Sequence, residues 1–179
     1  MRPYEQLIST DPAWAELASL ARSSRNRVEV LPRDPAAARR CLEQLQVTTR
    51  SPLGALAHET GGIFVGDRWL RLFGSGHSRM ERTLGAWNTE IAVGLGQFLV
   101  LGDDVVGGTF AVDGGALGAP GHVFYFAPDT LEWEEVAPGH TAFMHWAFGG
   151  NVEKFYENLR WQGWEEEVMK LDGDQALHL

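Results

Sequence analysis

Glycine placement constrains this chain more than any other feature. None of its 21 glycines precedes Gly54, and sixteen fall between Gly54 and Gly121. Glycine weakens helix interiors and supplies the positive-φ positions that tight turns need. The first fifty residues are therefore free to be helical, whereas the middle has to turn repeatedly.

The opening carries two helix starts of one type. Asp11-Pro12 and Asp34-Pro35 each place a side-chain acceptor before a proline, whose missing N–H costs nothing in a first turn. After the first, Trp14, Leu17, Ala18 and Ala21 recur on one apolar stripe; after the second, Ala38, Cys41, Leu42 and Leu45 do the same. Between them Val28, Val30 and Leu31 predict a short extended piece ended by Pro32.

From Leu53 the pattern reads as short strands. LGALAHET fits helix or strand, and the hairpin that follows favours strand. IFV, flanked by Gly61-Gly62 and Gly66-Asp67, pairs with Trp69 to Phe73; FLVL and TFAV bracket GDDVVGG; HVFYF and EWEEV bracket APDTL. The stretch between the first and second hairpins reads as irregular. Helical periodicity returns near Thr141, breaks at Gly149-Gly150, resumes with Val152, Phe155, Tyr156 and Leu159, and resumes again after Gly163 with Trp164, Val168 and Leu171. Beyond Asp172 the tail is expected to fray. With no repeat, low-complexity tract or long linker, the expectation is one α+β domain over residues 1–179: a mainly antiparallel sheet of successive hairpins, with N-terminal and C-terminal helices packed on it.

Charge is as unevenly spread as glycine. Net charge is −9, which argues against general affinity for nucleic acid or anionic membrane. Residues 1–82 hold twelve arginines, no lysine and nine acids, a net of +3; residues 83–179 hold three bases and fifteen acids, a net of −12. Cys41 is the sole cysteine, which removes intrachain disulfides and multi-thiolate metal sites. No apolar run is long enough for a membrane span and the start lacks a signal-peptide core, so a soluble, cytoplasmic protein is expected.

No catalytic signature is complete. FGSGHSR puts Arg79 where a dinucleotide fingerprint has its third glycine, and no lysine for a phosphate loop precedes Lys154. Ser75 and Ser78 lie outside any nucleophile elbow, although a triad assembled in space with His77 stays open. Cys41 reads as a buried structural thiol. His58-Glu59 opens like a zinc-protease helix, but Gly62 stands where the second histidine belongs; His122, His140, His145 and His178 have no ligand spacing. Asp103, Asp104 and Asp113 either converge on a cation or cap turn N–H groups, and capping is the commoner role. Neither cofactor nor metal is expected. Trp14, Trp69 and Trp164 read as core, while Trp133 and Trp161 are the better placed to be exposed anchors.

The run TTRSPLGALAHETGGIFVGDRWLRLFGSGH (Thr48 to His77), the MRP-type start, VEVLP and GDDVVGGTFAVDGG resemble a bacterial family called domain of unknown function 2625, over nearly the whole chain. That resemblance implies no activity. More loosely, helices before a GGIFVGDRWLRLFG-type hairpin, then an FLVLGDDVVGGTFAVD-type hairpin, an HVFYF-type strand and closing helices resemble the SUKH superfamily. The segment from Gly74 to Gln97 departs from its pattern. SUKH members include immunity proteins that neutralise bacterial toxins, many of them nucleases, so the resemblance implies a SUKH-like fold and a basic protein partner. The expected partner face is Asp103, Asp104, Glu132, Trp133, Glu134 and Glu135. An alternative small-ligand or hydrolase pocket at the hairpin mouths would gather Arg50, Glu59, Arg71 and His77 with the two aspartates. A homo-oligomeric structural role through exposed hairpin edges is a third reading.

Overall fold

The computed structural model describes residues 1–95 and 97–177. Its frame is a seven-stranded sheet in the order β1-β2-β3-β4-β5-β6-β7, every neighbouring pair antiparallel. The strands are β1 (Val28–Leu31), β2 (Gly62–Val65), β3 (Leu70–Phe73), β4 (Phe98–Asp104), β5 (Thr109–Asp113), β6 (Val123–Phe126) and β7 (Trp133–Ala137). The helices are α1 (Tyr4–Leu7), α2 (Trp14–Arg22), α3 (Pro35–Leu45), α4 (Pro52–Glu59), α5 (Leu84–Leu95), α6 (His140–Phe148), α7 (Asn151–Phe155) and α8 (Trp164–Val168). The α+β class, the meander and its three hairpins match the expectation from sequence.

Helix α3 starts as its sequence dictates: the Asp34 carboxylate accepts from the Ala37 N–H at 2.8 Å, with Pro35 at the first position. Helix α2 does not use its Asp-Pro start. It begins at Trp14 with no side-chain cap, and of its stripe only Leu17 and Ala21 are fully buried. Helices α2, α4 and α6 pack on one another, and α3 touches α1, α4 and α5. None of the described helices is long and apolar enough to cross a membrane.

Three expectations are corrected. LGALAHET is helix α4, not strand: Ser51 caps it, its hydroxyl accepting from the Gly54 N–H at 3.1 Å, and Gly54 to Ala57 are buried in succession. No β-branched residue of the segment falls before Thr60, which ends the helix in extended conformation, and the cap offsets the cost of Gly54 in the first turn. Gly54 is there for close approach, since a Cβ would lie 2.1 Å from the Thr48 carbonyl oxygen. The irregular stretch contains α5, which opens where the Thr83 hydroxyl accepts from the Ala86 N–H at 3.0 Å. The helix is apolar with little one-sided periodicity to read, and it packs against α3 and β4. The third correction concerns the tail, which is pinned: Gly173 N–H donates to the Arg79 carbonyl at 2.7 Å and Leu177 N–H to the Val105 carbonyl at 2.6 Å.

Candidate functional site

Strand register brings the first candidates together. Arg71 on β3 lies opposite Asp103 on β4. Arg71 is 2% exposed, so its charge has to be matched internally. Its Nε donates to Asp103 Oδ1 at 2.8 Å, Nη2 to the Asp104 carbonyl at 2.6 Å, and Nη1 to the Gln175 carbonyl. Arg82 pairs with the other Asp103 oxygen and, through Nε at 2.9 Å, with Asp174. Asp174 also accepts from the Glu81 N–H at 2.6 Å. Burial pushes the Asp174 carboxyl up, but these N–H groups and Arg82 outweigh it and hold it below the ordinary range.

Asp104 faces a different set of donors. Its Oδ1 accepts from the Val106 and Gly108 N–H groups at 3.0 and 2.8 Å, closing the β4–β5 turn. Its Oδ2 accepts from the Tyr125 hydroxyl at 2.7 Å and the Tyr156 hydroxyl at 2.9 Å. Burial, then the aspartate's charge, raises both phenols above their ordinary range, so they stay protonated and donate. Asp113 does comparable work beside the β5–β6 connection, accepting from Gly115, Leu117 and Ala119 N–H groups at 2.8, 3.2 and 2.9 Å. Asp103 and Asp104 are thus buried and internally engaged, and a partner surface that includes them is corrected accordingly. Every oxygen of the two side chains is spoken for, which leaves neither free to serve a substrate.

The residues of the alternative pocket lie apart. Arg50 is exposed in the turn before α4. Glu59 ends α4, where it pairs with His58 Nδ1 at 2.6 Å and with Arg33 at 3.5 Å. His77 sits in the turn after β3, its Nδ1 accepting from the Arg79 N–H at 3.1 Å. Only Arg71 of the four meets the aspartates. Sequence reasoning missed one arrangement: His58 Nε2 lies 2.7 Å from the Tyr4 hydroxyl, so Tyr4, His58 and Glu59 form a continuous hydrogen-bonded line that ties α1 to α4. Cys41 is buried, and burial pushes its thiol up to about 11. We expect it to stay unmodified by an aromatic disulfide reagent in the native state and to react fully once denaturant is added. Rapid native-state reaction would contradict this placement. His178 lies outside the described residues.

The remaining candidates share an accessible edge. Strand β7 has a bonded neighbour on one side only. Glu132, Glu134 and Glu135 on it and before it are exposed, with Asp129 in the adjoining turn. Among the described residues, the one ion pair these acids make is with His122, whose Nδ1 lies 2.8 Å from Glu135. Trp133 is not a free anchor: it is half-buried, stacked on Phe98 with centroids 4.5 Å apart and planes 10° from parallel. Trp161 likewise leans on Trp69 at 5.9 Å. By contrast, the first-half acids are largely met by arginine: Glu5 and Glu43 by Arg39, Glu29 by Arg79, Glu59 by Arg33, Asp67 by Arg27.

The family described as "Protein of unknown function DUF2625" matches residues 4–179. The chain is a DUF2625 protein. It is 43% identical over 178 residues to "Putative uncharacterized protein YbfG" of Escherichia coli (strain K12), covering 98% of this chain and 82% of that protein. An "Uncharacterized protein" of Haemophilus influenzae is 38% identical over 182 residues, covering 98% of this chain and 80% of its own length. Membership in DUF2625 thus extends over both the buried Arg71–Asp103 pair and the acidic edge, and it assigns neither a role.

Proposed function

We propose that this DUF2625 protein is a non-enzymatic recognition domain that binds a basic protein partner through its acidic β7 edge, as SUKH-type immunity proteins bind toxins. One observation carries the reading. The glutamates of β7 are exposed on an unpaired edge strand, and no lysine or arginine occurs between Arg82 and Lys154 to neutralise them. Such an edge offers main-chain groups for pairing and a field that speeds encounter with a cationic surface. The partner's chemistry follows: a protein rich in Arg and Lys, such as a phosphate-handling nuclease. Like charges also keep two β7 edges from pairing with each other.

The test uses the partner purified after capture and the full-length protein. Reversing Glu132, Glu134 and Glu135 to lysine is expected to weaken association about 100-fold, most of it through slower binding, and to remove most of the salt dependence. Unchanged affinity in the triple variant, or binding indifferent to salt, would refute the acidic-edge reading.

A further inference from the structure

Strand β1 is the other unpaired edge of the sheet, with β2 as its one bonded neighbour. The Arg27 and Leu31 carbonyls accept from the Gly66 and Gly61 N–H groups at 2.9 Å, and Val28 and Val30 lie opposite Val65 and Ile63. Successive residues of an antiparallel ladder alternate in direction, so Val28 and Val30 turn their main-chain N–H and carbonyl groups outward. Among the described residues those groups have no hydrogen-bond partner, and Val30 is 39% exposed. Beside them, between α2 and β1, runs a groove of about 300 Å³ lined by Trp14, Ala18, Ala21, Arg22, Val28 and Val30. The edge and the groove are the two parts that strand addition needs: one supplies main-chain bonds, the other receives alternate side chains.

Charge says which strand fits. Arg22 is the one charged residue in the groove's lining, and both it and Arg25 are exposed with no ion pair among the described residues. The acids beside the edge are already engaged: Glu29 by Arg79 and Arg68, Asp67 by Arg27, and Asp34 by the Ala37 N–H. The edge therefore favours a strand that carries both apolar and acidic side chains. Strand β7 is of that kind, with Glu134 and Glu135 exposed between Trp133 and Val136. The two edges cannot meet within one molecule, because the seven strands set them roughly 30 Å apart.

We infer that β1 of one copy of this chain pairs with β7 of a second copy, setting the arginine-flanked edge against the glutamate-bearing one. Such a contact is head-to-tail and repeats from copy to copy. It uses the β7 edge of the reading above but needs no foreign partner, and a basic protein bound at β7 would displace the neighbouring copy.

Sedimentation velocity of the full-length protein alone tests it. At low salt the mean mass is expected to rise with concentration between about 10 μM and about 1 mM, and to return to that of the monomer near about 0.5 M salt. Arg22→Glu combined with Arg25→Glu is expected to weaken association at least about tenfold, as is reversal of Glu132, Glu134 and Glu135 to lysine. Mixing the two charge-reversed proteins is expected to restore it, because the acidic β7 of the first then meets the basic β1 of the second. Val30→Pro removes an outward N–H and no bond to β2, so it is expected to weaken association at least about tenfold while circular dichroism shows the fold intact. A monomer at every concentration, association indifferent to salt, association that survives either charge reversal or a folded Val30→Pro, or a mixture no more associated than its components would overturn the inference. With no partner present, each of those results leaves capture of a basic protein by β7 standing.

Discussion

Replacing Asp104 with alanine is expected to destabilise the protein by about 4 kcal/mol, near the upper end for a single substitution. The carboxylate receives four donors at once, two backbone N–H groups of the β4–β5 turn and the hydroxyls of Tyr125 and Tyr156. Alanine would strand all four in a region from which water is excluded, and an orphaned buried donor costs about 1–3 kcal/mol. The total is less than four times that because the cavity relaxes and the terms do not add. Tyr125→Phe and Tyr156→Phe each remove a donor together with its need for an acceptor, so each is expected to cost about 1.5 kcal/mol. Urea denaturation of the three variants checks the ranking. An Asp104→Ala variant no less stable than either Tyr→Phe variant would show that Asp104 is not the hub of this network.

The second large effect is on pH dependence. His140 opens α6, and although part of the residue reaches the surface, its Nε2 is buried without a partner. Burial pulls its pKa down to about 4, and the N-terminal end of a helix also disfavours a cation. In the unfolded chain an ordinary histidine titrates near 6.5. Between those values the unfolded state holds a proton that the folded state does not, so stability falls as pH drops from about 6.5 to about 4. The loss from pH 7 to pH 4.5 is expected to be about 2 kcal/mol. His140→Phe, stacked near Phe143, should flatten that interval. Asp113 and Asp174, both held below the ordinary carboxyl range, act in a separate window. Their contribution is present above the unfolded carboxyl value of about 4 and is lost only as pH falls through their lower folded values. A slope between pH 6.5 and 4.5 that survives His140→Phe unchanged would contradict the assignment.

The sheet was legible because its signals are local. Turn residues and alternation mark each hairpin, and the strand order follows once consecutive hairpins pair with their neighbours. Helices α4 and α5 were harder because alanine and glycine blur periodicity; a serine or threonine cap was the usable signal in each, at Ser51 and Thr83. The aspartates show the limit most clearly. Reading Asp104 and Asp113 as caps of turn N–H groups was right in kind, but nothing local says that Tyr156, 52 residues on, also reaches Asp104. Nor does the sequence say that residues 173–177 fold back over Arg71 and Arg82. Such long-range partners decide whether an acid is inside or outside.

They also resolve the uneven charge. Packing the arginine-rich first half against the acidic second half pairs arginine with Asp103 and Asp174, whereas Asp104 and Asp113 are met by hydroxyl and backbone donors. Among the described residues, the β7 glutamates gain only His122. The negative net charge is therefore displayed, and part of it is concentrated on one edge of the sheet.

Amide hydrogen exchange of the full-length protein with and without its purified partner tests the central proposal most directly. The account predicts that protection appears in the segment from Asp129 to Ala137, is strongest in β7, and fades as salt is raised. Protection that leaves this segment unchanged and appears elsewhere would contradict it.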